Sequence, residues 1–159
     1  MAKTPEIGQP APDFTLPAVQ LVEGELVRSD LALSQERGHP MVLAFYPGDE
    51  TSVCTKQLCS YSSGFEAFTD LGAVVWGISP QGIESHESFA RKFQLRMPLL
   101  ADTEREAVSA YGIGLGSMLR RAVFIVDADG VLRWKHVAAL GLTFRDVPTL
   151  TAQLEALKA

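Results

Sequence analysis

Residues 41–59 read Met41-Val-Leu-Ala-Phe-Tyr46-Pro-Gly-Asp-Glu-Thr51-Ser-Val-Cys54-Thr-Lys-Gln-Leu-Cys59, and their pattern changes halfway. As far as Tyr46 the run is short and continuously apolar, which predicts a strand buried on both faces. Pro47-Gly48 ends it. Beyond the turn, Cys54, Leu58, Tyr61, Phe65 and Phe68 follow steps of four, three, four and three, one apolar stripe along a helix, while Lys56, Ser62, Ser63 and Glu66 lie off it. A buried strand running into an amphipathic helix is the first half of a crossover unit. Ligand sites of open α/β sheets sit at such strand-to-helix turns.

Working outward, Ala73 to Ser79 predicts a second buried strand, Gly82 to Gln94 a helix, and Leu99-Leu100 a short extended piece. A helix over Thr103 to Tyr111 follows. Two strands, Ala122 to Val126 and Val131 to His136, flank Asp127-Ala-Asp-Gly130, a short-hairpin signal, and Asp146 to Lys158 forms a closing helix. The first forty residues carry Pro5, Pro10, Pro12, Pro17, Gly24 and Gly38, with extended patches at Phe14 to Leu16 and Leu26 to Arg28. They read as a peripheral hairpin, cover and not core. Parallel βαβ units followed by an antiparallel hairpin predict an α/β protein: a thioredoxin-like three-layer sandwich with a central mixed sheet and an N-terminal hairpin extension, residues 1–159 forming a single domain.

Composition agrees with one core: 159 residues, 47% hydrophobic, 21% charged, formal net charge −5. No run of five or six Lys or Arg occurs, so nucleic acid is not an expected partner. Met1 to Pro10 lacks an apolar segment, and no stretch approaches about eighteen apolar residues, so neither a signal peptide nor a membrane span is expected and a cytoplasmic location follows. Two Cys exclude a multi-bridge scaffold, and a metal site would have to draw in one of the scattered His39, His86 and His136. No cofactor and no metal is called for. Gly112-Ile-Gly-Leu-Gly116 follows a helix and not a strand, so it reads as a loop; Asp127 to Gly130 has Gly too early for a calcium loop and reads as a turn.

Cys54 falls in the first turn of its helix, where unpaired backbone N–H groups and the positive dipole end favour a thiolate. Thr51, three residues earlier, can cap the helix or donate its hydroxyl to the sulfur. The plainer reading of Cys54 is a small buried hydrophobe on the apolar stripe. Cys59 sits beside Ser62, Ser63 and Glu66 on the polar side of the wheel. In an intact helix five residues give Cα atoms roughly 8.6 Å apart, beyond the limit of about 7 Å for a disulfide. Either the two thiols never meet, or the helix start unwinds.

Pro47-x-x-x-Thr51-x-x-Cys54 resembles the active-site signature of the peroxiredoxins, and a second Cys five residues on resembles the peroxiredoxin Q, or bacterioferritin comigratory protein, type. Gly8-Gln-Pro-Ala-Pro-Asp-Phe14, Pro98-Leu-Leu-Ala-Asp102 and Arg121-Ala-Val-Phe-Ile-Val-Asp127 are similar to family landmarks in the same order. The resemblance implies a thiol peroxidase acting on hydrogen peroxide and organic hydroperoxides. In it Cys54 is peroxidatic, Cys59 resolves it within the same chain, Thr51 and Arg121 polarise the peroxide, and Pro47 shields the pocket. A thioredoxin or similar dithiol would be the reductant. The register assigns the family Arg to Arg121 and leaves Arg120 as a solvated strand end. Where the family often has a Glu that holds the Arg, this chain has Gln57, so at most a neutral partner is expected there. A metal chaperone or a redox sensor without turnover stays open as the alternative, while the absence of C-x-x-C disfavours a disulfide oxidoreductase. With no long arm after the closing helix, a monomer is favoured over a swapped-tail dimer.

Overall fold

The computed structural model describes residues 3–138 and 143–158. Seven strands form one sheet in the order β2-β1-β5-β4-β3-β8-β9. The strands are β1 (Thr15–Val22), β2 (Glu25–Ala32), β3 (Met41–Phe45), β4 (Val74–Ser79), β5 (Leu99–Ala101), β8 (Ala122–Val126) and β9 (Leu132–Val137); a separate hairpin pairs β6 (Gly114–Leu115) with β7 (Met118–Leu119). The helices are α1 (Ser52–Ser63), α2 (Phe65–Asp70), α3 (Ile83–Phe93), α4 (Glu106–Ala110) and α5 (Val147–Ala156). Strands β3, β4 and β5 are parallel, and β8, β9, β1 and β2 complete the sheet in antiparallel pairing.

Alternation along β3 divides the core in two. Val42 and Ala44 face a cluster with Leu58 and Tyr61 of α1, Phe68 of α2, Phe89 of α3 and Leu150 and Leu154 of α5. Met41, Leu43 and Phe45 face Phe14, Trp76, Val108 of α4, Tyr111 and Phe124. All five β3 residues are buried, as a strand covered on both faces requires. Gly77 in β4 lets α1 sit close on the sheet: a Cβ there would stand 3.0 Å from Leu58 Cδ1 and 2.9 Å from Leu99 Cδ2.

Two expectations are corrected. The N-terminal hairpin is part of the sheet and not cover: Ala18 and Val19 pair with Leu100 and Leu99 of β5, and Phe14, Leu16, Ala18 and Val19 are buried. The helix expected to run unbroken to Phe68 stops at Ser63 and restarts at Phe65, with Gly64 as the cap between. Gly64 has Val147 of α5 2.9 Å from where a Cβ would be, so the break brings α5 against the chain at a point where no side chain fits. The Gly112–Gly116 run contributes the first strand of the small β6–β7 hairpin, and Asp127–Gly130 is the expected turn, its Asp127 carboxylate accepting from the Asp129 and Val131 amides. Among the described residues no helix is long and apolar enough to cross a membrane.

Candidate active site

Strand β3 pairs with β8 so that Phe45 lies opposite Ala122. The register delivers the β3–α1 turn and Arg121, the residue before β8, to the same end of the sheet. Thr51 is the N-cap of α1, in extended conformation, and its carbonyl accepts from the Thr55 amide at 2.8 Å. Cys54 is therefore the third residue of the helix and lies within its first turn, where the amides lack intrahelical partners. Its side chain is fully buried. Arg121 Nη2 donates to Cys54 Sγ at 3.1 Å, and Arg121 Nη1 donates to Gln57 Oε1. Arg120 leaves on the other side of the strand, where Nη2 donates to the Gly112 carbonyl at 3.2 Å. It is half-buried, not the solvated strand end expected, because Gly112 and Ile113 lie against it, the Ile113 carbonyl accepting from its amide at 2.8 Å.

Gln57 is buried and held at both ends. It accepts from Arg121, and its Nε2 donates to Tyr61 Oη at 3.2 Å; the Tyr61 hydroxyl in turn donates to the Arg145 carbonyl at 2.6 Å. Burial pushes the Tyr61 phenol up to about 12, so it stays a donor at neutral pH. The neutral amide thus does not leave the guanidinium loose. It links the sulfur's partner through α1 to the chain that precedes α5.

Thr51 neither caps the helix through its side chain nor donates to the sulfur. Its hydroxyl donates to the Gly48 carbonyl at 3.0 Å, which the tight turn brings within reach three residues back. Pro47 is half-buried in that turn. Cys59 also differs from expectation. It is half-buried and packs against the apolar cluster that Phe144, Val147 and Trp134 also join, a tertiary contact that a wheel drawn for α1 alone does not register. That burial raises the Cys59 thiol above its ordinary value. Both cysteines are free thiols on one unbroken helix.

A buried polar cluster that the sequence reading passed over lies beside this turn. Asp49 Oδ1 accepts from the Tyr46 hydroxyl at 2.7 Å; Oδ2 accepts from Ser85 Oγ at 2.7 Å and lies 2.7 Å from His86 Nδ1. His86 Nε2 donates to the Leu100 carbonyl at 3.0 Å. Tyr46 and Asp49, three residues apart across a turn, were a readable signal; His86 is remote in sequence and had none. Among the described residues no three His, Cys, Asp or Glu side chains group as a metal site.

The model of the AhpC/TSA family matches residues 7–135. Peroxiredoxin Bcp of Bacillus subtilis (strain 168) is 35% identical over 160 residues, covering 91% of this chain and 98% of its own length. The chloroplastic Peroxiredoxin Q of Sedum lineare is 37% identical over 129 residues, covering 79% of this chain, which spans 66% of that longer plant protein. Among solved structures, Mycobacterium tuberculosis AhpC superposes with a TM-score of 0.88 at 24% identity, over 98% of this chain and 94% of that one. The reduced 2-Cys peroxiredoxin of Plasmodium vivax superposes with a TM-score of 0.86 at 22% identity, over 96% of each. The last two are likenesses of fold.

Proposed function

The chain belongs to the AhpC/TSA family, as a thiol-dependent peroxidase of the peroxiredoxin kind, and we propose that Cys54 is its peroxidatic residue and Cys59 its resolving one. The observation that carries this reading is the Arg121 guanidinium 3.1 Å from Cys54 Sγ in the first turn of α1. The Cys54 thiolate attacks the terminal oxygen of a hydroperoxide, the O–O bond breaks, and the departing oxygen takes a proton to leave as water or an alcohol, with sulfenic acid left on Cys54. Arg121 stabilises the charge that develops on the departing oxygen. With its hydrogen committed to Gly48, the Thr51 oxygen presents lone pairs to the peroxide O–H and orients it. Pro47 limits the access of water. Cys59 then attacks the sulfenic sulfur as a thiolate, an S–S bond forms and water leaves. An external dithiol, thioredoxin or a similar protein, restores both thiols by exchange and is itself oxidised. The cycle needs one chain, so a monomer formed as one domain over residues 1–159 fits it, and a cytoplasmic location suits a cycle that draws on a reduced dithiol pool.

The test is stoichiometric. Reduced protein mixed with one equivalent of hydrogen peroxide should lose both thiols within seconds and gain a Cys54–Cys59 bridge by mass spectrometry. Retention of both thiols over minutes would sink the reading.

Arg121→Met removes a charge-assisted hydrogen bond worth about 1.5–3 kcal/mol, so the peroxide step should slow about tenfold to a hundredfold. Arg120→Met, which removes only the bond to Gly112, should leave that step near the wild-type rate. Stopped-flow rates at several peroxide concentrations separate the two; a slower step in the Arg120 variant alone would reverse the assignment.

The resolving step has a pH dependence with a definite sign. Cys59 is held as a thiol by its burial in intact α1 and must lose its proton to attack once α1 opens, so bridge formation should accelerate with pH. An increase of about tenfold per pH unit is expected between pH 6 and 8 as the thiolate fraction grows. Rapid-quench measurement of bridge formation after preoxidation checks it, and a flat profile would mean that another step limits resolution.

A further inference from the structure

The turn that carries Pro47 and Thr51 has few backbone ties of its own. Between Tyr46 and α1, Glu50 adopts φ +60°, a left-handed conformation that a non-glycine residue holds only when its surroundings impose it. Apart from the Thr51–Gly48 bond within the turn and a long one of 3.5 Å from Ser79 Oγ to the Pro47 carbonyl, the ties come from α3. Asp49 accepts from Ser85 and meets His86, both on α3, and Glu50 pairs with Lys92 of α3 at 2.9 Å on the surface. The exposed Glu50–Lys92 pair contributes little. The buried cluster is different, because Asp49 gathers three partners on two oxygens and His86 is fixed at its far nitrogen by the Leu100 carbonyl of β5. Since a carbonyl only accepts, Nε2 carries a hydrogen, and Nδ1 faces Asp49 Oδ2 at 2.7 Å, which joins the two side chains inside the core. Tyr46 completes the cluster from the last position before the turn. Burial, and then the Asp49 carboxylate beside it, keep its hydroxyl protonated and donating.

We propose that Asp49 and His86 are positioning residues of the peroxide pocket: the buried Tyr46–Asp49–His86–Ser85 cluster clamps the turn to α3, so that the Gly48 carbonyl and the Thr51 hydroxyl meet an incoming peroxide at the distance the reaction needs. The inference rests on the reading of Cys54 as the peroxidatic residue. Neither side chain touches the sulfur. Their action is geometric, and a displacement of about 1 Å in such a site costs up to about a hundredfold in rate. The clamp bears on the peroxide step alone. Resolution, which involves α1 and Cys59, does not require the turn to hold its shape.

That division supplies the test. The rate of sulfenic acid formation on Cys54 and the rate of bridge formation are measured separately by rapid quench and mass spectrometry in the full chain. Asp49→Ala should slow the first about tenfold to a hundredfold and leave the second within about twofold. Asp49→Asn keeps the shape, still accepts from Tyr46 and can donate to His86 Nδ1, so it should recover most of the rate. Tyr46→Phe deletes one hydroxyl at nearly constant volume and should slow the first step about threefold to tenfold; it decides the matter if Asp49→Ala does not fold. Wild-type peroxide rates in the Asp49→Ala or Tyr46→Phe protein, or equal slowing of both steps, would overturn the clamp while leaving Cys54 in its role. A wild-type Cys54 that forms no sulfenic acid would overturn both together.

Discussion

A protein in which Ser replaces Cys54 is expected to fold normally and to consume no peroxide above the uncatalysed rate. The fold should hold because a Ser hydroxyl in the buried site can still accept from Arg121 Nη2, so no donor is stranded. The activity should vanish because the nucleophile is gone, and an alcohol in the first turn of α1 has neither the acidity nor the polarisable sulfur that attack on a peroxide oxygen requires. Cys59→Ser is the informative contrast. It should reduce one equivalent of peroxide at the wild-type rate and then stall with a thioredoxin donor, its Cys54 held as sulfenic acid that a trapping reagent labels. Further peroxide should drive that sulfur to the sulfinic acid, which the dithiol does not restore. The pair of variants separates attack from resolution, and peroxide consumption in Cys54→Ser at the wild-type rate would show that the buried sulfur is a packing residue and nothing more.

What could be read from the chain alone follows the range of the interactions concerned. The β3 run, apolar throughout because both faces are covered, and the stripe of α1 from Cys54 to Tyr61 are local patterns, and both are found where expected. The turn at Asp127 is equally local. The placement of β1 was missed because Pro17 interrupts the pattern of a central strand. The structure accommodates it since β5 reaches only Ala18 and Val19, which leaves Pro17 with β2 on one side and no ladder on the other. The site divides in the same way. Pro47, Thr51 and Cys54 are spaced by one turn of chain and one turn of helix, so a motif captures them. Arg121 came within reach through a resemblance, and the antiparallel register of β3 with β8 accounts for its position. The partners of Gln57 were half legible. Tyr61 lies four residues on, one helical turn away, but the Arg145 carbonyl is 84 residues from Tyr61 and arrives only because the chain before α5 packs on α1. His86 is similar: 37 residues from Asp49, it reaches the turn through the β4–α3 crossover, and no local pattern encodes that approach.

The oxidised protein is expected to lose amide protection over residues 54–64 by about 10² to 10⁴-fold relative to the reduced one. The reason is geometric. In the reduced structure both cysteines lie on the continuous helix α1, and an intact helix keeps their Cα atoms roughly 8.6 Å apart, outside the range of a disulfide. A Cys54–Cys59 bridge therefore forms only if the intervening turns open. Opening draws Leu58 off the sheet, where Gly77 now lets it pack closely, and strains the link from Gln57 through Tyr61 to the Arg145 carbonyl. Leu58 and Tyr61 are both fully buried. Exposing a large side chain costs roughly 1.5–3 kcal/mol, and for two the local opening free energy falls by about 3–6 kcal/mol, which is the stated change in exchange rate. Gly64, where the helix already breaks, is the natural limit of the opening, so α2 and α5 should keep their protection. The apolar side chains uncovered in this way would face the incoming dithiol reductant at the disulfide it must reach. Hydrogen exchange on samples shown by mass spectrometry to carry the bridge settles the point. Unchanged protection from 54 to 64 would refute the unwinding, and a bridge between two chains in place of one within the chain would mean that Cys59 resolves a partner's Cys54 and that α1 has no need to open.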